Sequence, residues 1–316
     1  CDTYYYTLAR DMGVDLMHDQ MKPLGFGQIT GIDILGESRG VLPSTEWKRN
    51  TYKKPEQQRW YSGETISLGI GQGYNNFTML QIAHAMGTVA NNGLKMKPHL
   101  VREVVDVETK ASTLVAKEPV GQLPLLPENL EVIKKGMIGV NVEGTSATSF
   151  VGAQYVSAGK TGTAQVFTVK QNEKYNASTI DERMRDHALF VAFAPADDPK
   201  VALAMVVENA GFGAQNAAPI ARRVFDFVIT GQYPSQEDIE AVQKGQATRP
   251  IGKSRPVASV PWPPKAAELA VEEPVTAASA AEKAASAAAK AASAAGKPAS
   301  AAAPVVAQKP AASGAR

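Results

Sequence analysis

An α+β fold is predicted by three observations along the 316 residues. Apolar residues at helical spacing mark the first hundred positions. Two near-continuous apolar runs joined by a proline-bounded turn follow them. A last amphipathic stretch ends on glycine. Together these predict a helical region beside an antiparallel sheet flanked by helices.

Tyr4, Tyr5, Leu8, Ala9 and Met12 recur at helical spacing, and Gly13 stops that run. Glycine-rich loops follow at 25–40 and 63–73. A second helix fits 78–91, where Leu80, Ile82, Ala83, Met86 and Val89 form a broad stripe and Asn91-Asn92-Gly93 ends it. Another helix fits 127–140. Residues 154–169 are rich in β-formers. The runs 187–194 and 201–208, joined by Pro195-Ala-Asp-Asp-Pro199, read as a hairpin, and their continuous apolarity is that of buried strands. A final helix fits 217–229, with Ile220, Val224, Phe225 and Val228 on one face and Gly231 after it. No internal repeat is present.

Composition sets the boundaries. Apolar residues make up 44% and charged residues 20%, a globular balance that excludes a wholly disordered or fibrous chain. Trp262 is the last aromatic residue, and 24 of the 52 residues from Lys265 on are Ala. Pro274, Pro298, Pro304 and Pro310 limit any helix there. That stretch buries too little apolar surface to offset its ordering entropy. The reading is a body over 1–234, then 235–316 as linker and disordered tail with transient helix between Ala277 and Ala295.

The net charge of +2 sits in the tail, because the first 264 residues carry 27 basic and 27 acidic side chains. A neutral body argues against a nucleic-acid partner, whose phosphates call for a basic face. The single cysteine, Cys1, excludes an internal disulfide framework and a cysteine-rich zinc site. No apolar run reaches the roughly 18 residues that cross a bilayer, and no signal peptide is recognisable. The chain opens on Cys1-Asp-Thr without Met and is read as a piece of a longer protein.

Two motifs compete for Ser157-Ala-Gly-Lys160-Thr161-Gly162-Thr163. A phosphate-binding loop would need glycine where Gln154 stands, and should open a helix where 166–169 prefer a strand. The alternative is the Lys-Thr-Gly signature of serine acyl-transfer enzymes that bind penicillin. Its chemistry suits the residues. Lys160 can hold a carboxylate and help move protons, and Thr161 adds a hydroxyl for the same carboxylate. Gly162 lets a substrate backbone lie close to the strand. The Thr163 N–H can point at a developing oxyanion.

Such an enzyme needs a nucleophile, usually Ser-x-x-Lys on a helix. Only Ser157-x-x-Lys160 fits that spacing, and on a strand residues three apart point to opposite faces, so the pair cannot meet. The third element, Ser-x-Asn or Ser-x-Asp, is absent. Cys1-Asp2 would complete Ser-Cys-Asp if a serine preceded them, while Asp2 also serves as a helix cap, and both readings stay open.

These blocks carry a resemblance. Cys1-Asp-Thr-Tyr-Tyr-Tyr, Asp11-Met-Gly13, Gly25-Phe-Gly27, Thr30-Gly-Ile-Asp33, Glu46-Trp-Lys48, Gly69-Ile-Gly-Gln-Gly-Tyr74, 160–166, Arg185-Asp-His187, Phe193-Ala-Pro195 and Glu208-Asn209 occur in this order. Over about residues 1–232 the chain resembles the penicillin-binding protein 2 family, class B penicillin-binding proteins that act in cell elongation. The resemblance implies the penicillin-binding, serine β-lactamase-like transpeptidase fold, incomplete at its N-terminus. It implies a peptidoglycan D,D-transpeptidase whose substrates are D-Ala-D-Ala stem peptides and whose inhibitors are β-lactams. It places the enzyme at the periplasmic face of the inner membrane, with a glycan polymerase and elongation-complex proteins as partners.

By position, the resemblance gives Asp2, Lys160 and Thr163 as catalytic and 160–163 as substrate-binding. The nucleophile, first motif and anchor are expected upstream of Cys1. Acyl transfer requires no cofactor. Some family members carry a metal near this point, so Cys1 is a candidate ligand with others upstream. Arg185, Asp186 and His187 sit just before a strand and are expected to form a structural ion-pair cluster, with His187 near the substrate as the alternative. His18, His84 and His99 are read as surface or packing residues. The loop Gln72-Gly73-Tyr74 is groove wall or scaffold. The competing functions are a penicillin-binding sensor or β-lactamase on the same fold, and a non-catalytic interaction module.

Overall fold

The computed structural model describes residues 2–166, 180–246 and 248–260. Cys1, the end of the β-rich segment at 167–169 and the tail with its transient helix lie outside them. Helix α1 (Asp2–Met21) departs from helical geometry at Gly13, where φ is 73° and ψ is 159°. The first helical run therefore stops at Gly13 as expected, because only glycine takes that backbone without strain, and a second run follows it. Helices α2 (Thr45–Thr51), α3 (Pro55–Gln58) and α4 (Ser62–Leu68) come next.

Helix α5 (Met79–Ala90) matches the expected 78–91 segment because Thr78 and Gln81 form a reciprocal cap. Gln81 N donates to Thr78 Oγ1 at 3.1 Å and Thr78 N donates to Gln81 Oε1 at 3.0 Å. Gln81 is 1% exposed, and its Nε2 also donates to the carbonyls of Gln28 and Arg39. One side chain thus starts the helix and anchors the glycine-rich loop that precedes it.

Two small antiparallel pairs were not anticipated: β1 (Leu94–Met96) with β4 (Pro119–Gln122), and β2 (Glu103–Val105) with β3 (Ser112–Leu114). Helix α6 (Pro127–Val142) and the single turn α7 (Ala147–Phe150) lead into the main sheet. Its strands are β5 (Ala158–Ala164), β6 (His187–Ala194) and β7 (Val201–Val207), antiparallel in the order β5-β6-β7. Lys160 pairs with Val191, Thr161 with Phe190, Gly162 with Leu189 and Thr163 with Ala188.

The period of two divides the sheet into two buried faces. Ala188, Phe190, Ala192 and Ala194 pack against Phe150 and against Ala217, Ala218, Ala221 and Phe225. The last three lie on α9 (Ala218–Thr230), which follows the short α8 (Gly213–Asn216) and ends at Gly231 with φ 65°. On the opposite face, Ala158 and Phe193 pack with Ala90, Met86 and Val89 of α5 and Met137 and Ile138 of α6. A sheet between helices on both faces is the architecture expected from sequence.

One compact unit runs to Val260, past the boundary expected at Ser235. Strands β8 (Gln232–Tyr233) and β9 (Arg255–Pro256) pair, and α10 (Gln236–Gln243) lies between them in sequence. Ser235 caps α10 by accepting Asp238 N, and fully buried Asp238 accepts from Arg223 of α9. A buried ion pair anchors this segment, and its eight-residue helix, with only Ile239 and Val242 as large apolar positions, is too short for the hydrophobic pattern to announce it. Among the described residues no helix is long and apolar enough to cross a membrane.

Candidate active site

Strand β5 is paired on one side, to β6, and alternate backbone groups along its other side face an edge with no strand among the described residues. It presents Lys160, Thr161, Gly162 and Thr163 in sequence. Lys160 is exposed and its Nζ donates to the Thr161 carbonyl at 2.8 Å. Thr161 Oγ1 lies 3.2 Å from Thr145 Oγ1. Gly162 faces Leu189, whose Cβ would be 3.2 Å from a side chain there.

Ser157 and Lys160 do not meet. Ser157 is 3% exposed and its hydroxyl accepts Asn141 Nδ2 at 2.9 Å, while Lys160 reaches the neighbouring carbonyl. The pair with nucleophile spacing is therefore a buried structural serine and an exposed lysine. Asp2 opens α1 and is exposed, and no hydrogen bond or ion pair among the described residues joins it to 160–163. The structure thus brings four of the five candidates onto one strand and leaves Asp2 apart.

Two residues near the strand belong to no sequence motif. Thr145 follows α6 and places a hydroxyl at Thr161. Gly213, first in α8, lies against β5 and β6 from the α9 side: a Cβ there would collide with the Leu189 carbonyl oxygen and lie 2.7 Å from that of Gly162. A glycine at this point lets two backbones touch.

The stretch before β6 is a hydrogen-bonded corner. Asn209, with φ 57°, donates its backbone N–H to His187 Nδ1 at 2.9 Å and its Nδ2 to the carbonyls of Arg183 and Arg185 at 3.0 Å. Gly211 N donates to the Asp186 carbonyl. The other histidines bond to backbone: His84 Nε2 lies 2.6 Å from Met96 O, His99 Nδ1 2.7 Å from Val101 O, and His18 Nδ1 3.3 Å from Leu42 O. Burial pushes the His84 pKa down, against the pull of its Met96 bond. Among the described residues no three His, Cys, Asp or Glu side chains cluster as metal ligands, and Cys1 lies outside them.

The Glu46-Trp-Lys48 and Gly69–Tyr74 blocks converge on a buried charge pair. Lys48, 3% exposed, pairs with Glu64 and lies 5.4 to 5.6 Å from the ring centres of Trp60, Tyr61 and Tyr74. Tyr74 Oη donates to Glu64 at 2.9 Å. Burial raises the Glu64 pKa, but bonds from Lys48, Tyr61 N–H and Tyr74 outweigh it and hold the carboxyl below its ordinary value. The Tyr74 phenol is pushed up to about 12, first by burial and then by Glu64. Tyr74 is thus part of the scaffold of the helical region.

Comparison with known proteins fits this geometry. Residues 1–226 match the penicillin-binding protein transpeptidase domain, and the chain belongs to that family. Among its relatives, the peptidoglycan D,D-transpeptidase MrdA of Haemophilus influenzae is 42% identical over 246 residues, 75% of this chain and 36% of that protein. MrdA of Escherichia coli K12 is 41% identical over 233 residues, 73% of this chain and 36% of its own length. The chain therefore spans just over a third of these relatives. The fold is that of Pseudomonas aeruginosa PBP2, solved in complex with WCK 5153, at 38% identity and a TM-score of 0.59, covering 71% of this chain and 46% of that one. Helicobacter pylori PBP2, solved in complex with MreC, aligns at 26% identity with a TM-score of 0.58, covering 73% and 38%.

Proposed function

We propose that the chain is the C-terminal part of a peptidoglycan D,D-transpeptidase of cell elongation, and that β5 is the strand on which its acyl donor docks. The observation that carries this reading is Lys160-Thr161-Gly162-Thr163 on a half-open edge strand, in a chain of the transpeptidase family. Relatives named as D,D-transpeptidases favour it over a sensor or a β-lactamase.

In this reading a serine of the longer polypeptide attacks the carbonyl carbon of the penultimate D-Ala. The bond to the terminal D-Ala nitrogen breaks, that amine takes a proton, and D-Ala leaves. An amine on a neighbouring strand then attacks the acyl-serine, forms the cross-link and returns the serine hydroxyl. Lys160 and Thr161 hold the terminal carboxylate, Gly162 admits the peptide backbone, and the Thr163 N–H stabilises the oxyanion. By the family's pattern, Asp2 ends the second motif. β-Lactams acylate the same serine. Work at the periplasmic face of the inner membrane, with elongation-complex partners, belongs to the same proposal; the Helicobacter pylori relative solved with MreC supports the partner class.

The test is labelling with a fluorescent penicillin. Residues 1–316 alone should take no covalent label, and the full-length polypeptide should take one per chain. A labelled 1–316 fragment would show a nucleophilic serine within it and overturn the assignment.

A further inference from the structure

We propose that Thr145 is a further substrate-holding residue, whose hydroxyl joins those of Thr161 and Lys160 Nζ in gripping the carboxylate of the acyl donor. This rests on the reading of β5 as the donor strand. Thr145 belongs to none of the three motifs that define such sites. Its Oγ1 lies 3.2 Å from Thr161 Oγ1, and either hydroxyl can donate to the other. One of the two hydroxyl hydrogens is therefore left for a third oxygen, and an arriving carboxylate, with acceptor sites on both oxygens, can take both. The Lys160 ammonium bonds to the main-chain carbonyl of Thr161, which puts a cation on the same length of strand edge.

Thr145 is exposed, yet its position is firmly built. After α6 the chain folds back through Gly144 N to Gly139 O at 2.8 Å and Ser146 N to Val140 O at 3.2 Å. A Cβ on Gly144 would lie 2.7 Å from Val140 Cα, so the turn requires glycine. Ser146 Oγ donates to Asn141 Oδ1 at 2.6 Å, and Asn141 Nδ2 donates to Ser157 Oγ at 2.9 Å, immediately before β5. Asn141, Ser146 and Ser157 are all buried. This satisfied polar network fixes the corner of α6 to the strand, and so fixes Thr145 over Thr161. Three buried polar side chains hold one exposed hydroxyl beside the strand edge, where it has no packing role of its own.

The experiment measures acylation of the full-length enzyme by a penicillin with a free carboxylate and by its methyl ester. Thr145→Val should slow acylation by the acid roughly tenfold, the order of one hydrogen bond to a charged group. The loss should lie mostly in the half-saturating concentration, with the limiting rate kept. Acylation by the ester should match that of the unmodified enzyme, Thr145→Ser should restore the acid rate, and thermal unfolding should be unchanged. Ser157→Ala, which loosens the network without touching Thr145, should show a smaller defect confined to the acid. Normal acid acylation by Thr145→Val, or equal losses with acid and ester, would overturn the proposal, and an unchanged acid-to-ester ratio in Ser157→Ala would overturn the positioning role of the network. Lys160→Ala separates the two levels. If it is impaired while Thr145→Val is normal, only Thr145 is misassigned; if it too is normal, the reading of β5 fails.

Discussion

Arg223 grips Asp238 through two hydrogen bonds, Nε to Oδ2 at 2.8 Å and Nη2 to Oδ1 at 2.6 Å, and the carboxylate is fully buried. The same carboxylate accepts Ile251 N at 3.1 Å. One side chain thus ties α10 and the segment after it to α9, whose other face packs on the sheet. Removing one partner leaves a buried charge uncompensated, which typically costs about 3–5 kcal/mol. Asp238→Ala should lower stability by that order in chemical denaturation, and adding Arg223→Ala should recover part of it. An unchanged denaturation midpoint would show that residues 235–260 are not part of the cooperative unit.

Gly213 supports β5 from behind. An alanine methyl there would overlap the Leu189 carbonyl oxygen and crowd that of Gly162, and neither is a flexible side-chain end that can swing aside. Forced overpacking of this kind costs about 1–3 kcal/mol. Gly213→Ala should lower the melting temperature and also shift Gly162. In the full-length enzyme, acylation should fall even at temperatures where the variant stays folded. Unimpaired acylation by the folded variant would mean that this contact does not set the position of the strand.

The Lys48–Glu64–Tyr74 cluster gives stability a pH dependence at both ends. The depressed Glu64 carboxyl contributes stability that is present above its ordinary pKa of 4.5 and is lost as pH falls below it. The raised Tyr74 phenol contributes stability that is complete below 10.0 and is lost as pH climbs toward about 12. Chemical denaturation across pH should show Glu64→Gln flattening the acid limb and Tyr74→Phe flattening the alkaline limb. Limbs unchanged in both variants would place the titration elsewhere.

Long elements with a clear period or cap were legible in the sequence. Helix α5 carries both a stripe and the Thr78–Gln81 cap, and β6 and β7 are continuous apolar runs because both faces of the sheet are buried. Strands β1 to β4 were not legible: each is three or four residues long, and β2, β3 and β4 are exposed, so no alternation develops. Helix α10 is eight residues long with only Ile239 and Val242 as large apolar positions, too short a pattern to announce itself. At the site, Lys160 to Thr163 form a contiguous motif and could be read directly. Thr145 reaches Thr161 only through the folded corner of α6, and Gly213 reaches Gly162 only through packing between elements. Neither relation has a spacing in sequence that announces it.

Lys160 is the residue on which β5 as a substrate strand most directly depends. The measurement is the second-order acylation rate of the full-length enzyme by a fluorescent penicillin, with and without Lys160→Ala, on protein shown to be folded by its melting curve. Removing one preorganised electrostatic partner in such a site costs on the order of a hundredfold or more. A loss of that size with an unchanged melting temperature is the result expected. Near-normal acylation by the folded variant would contradict the assignment of β5 as the substrate strand.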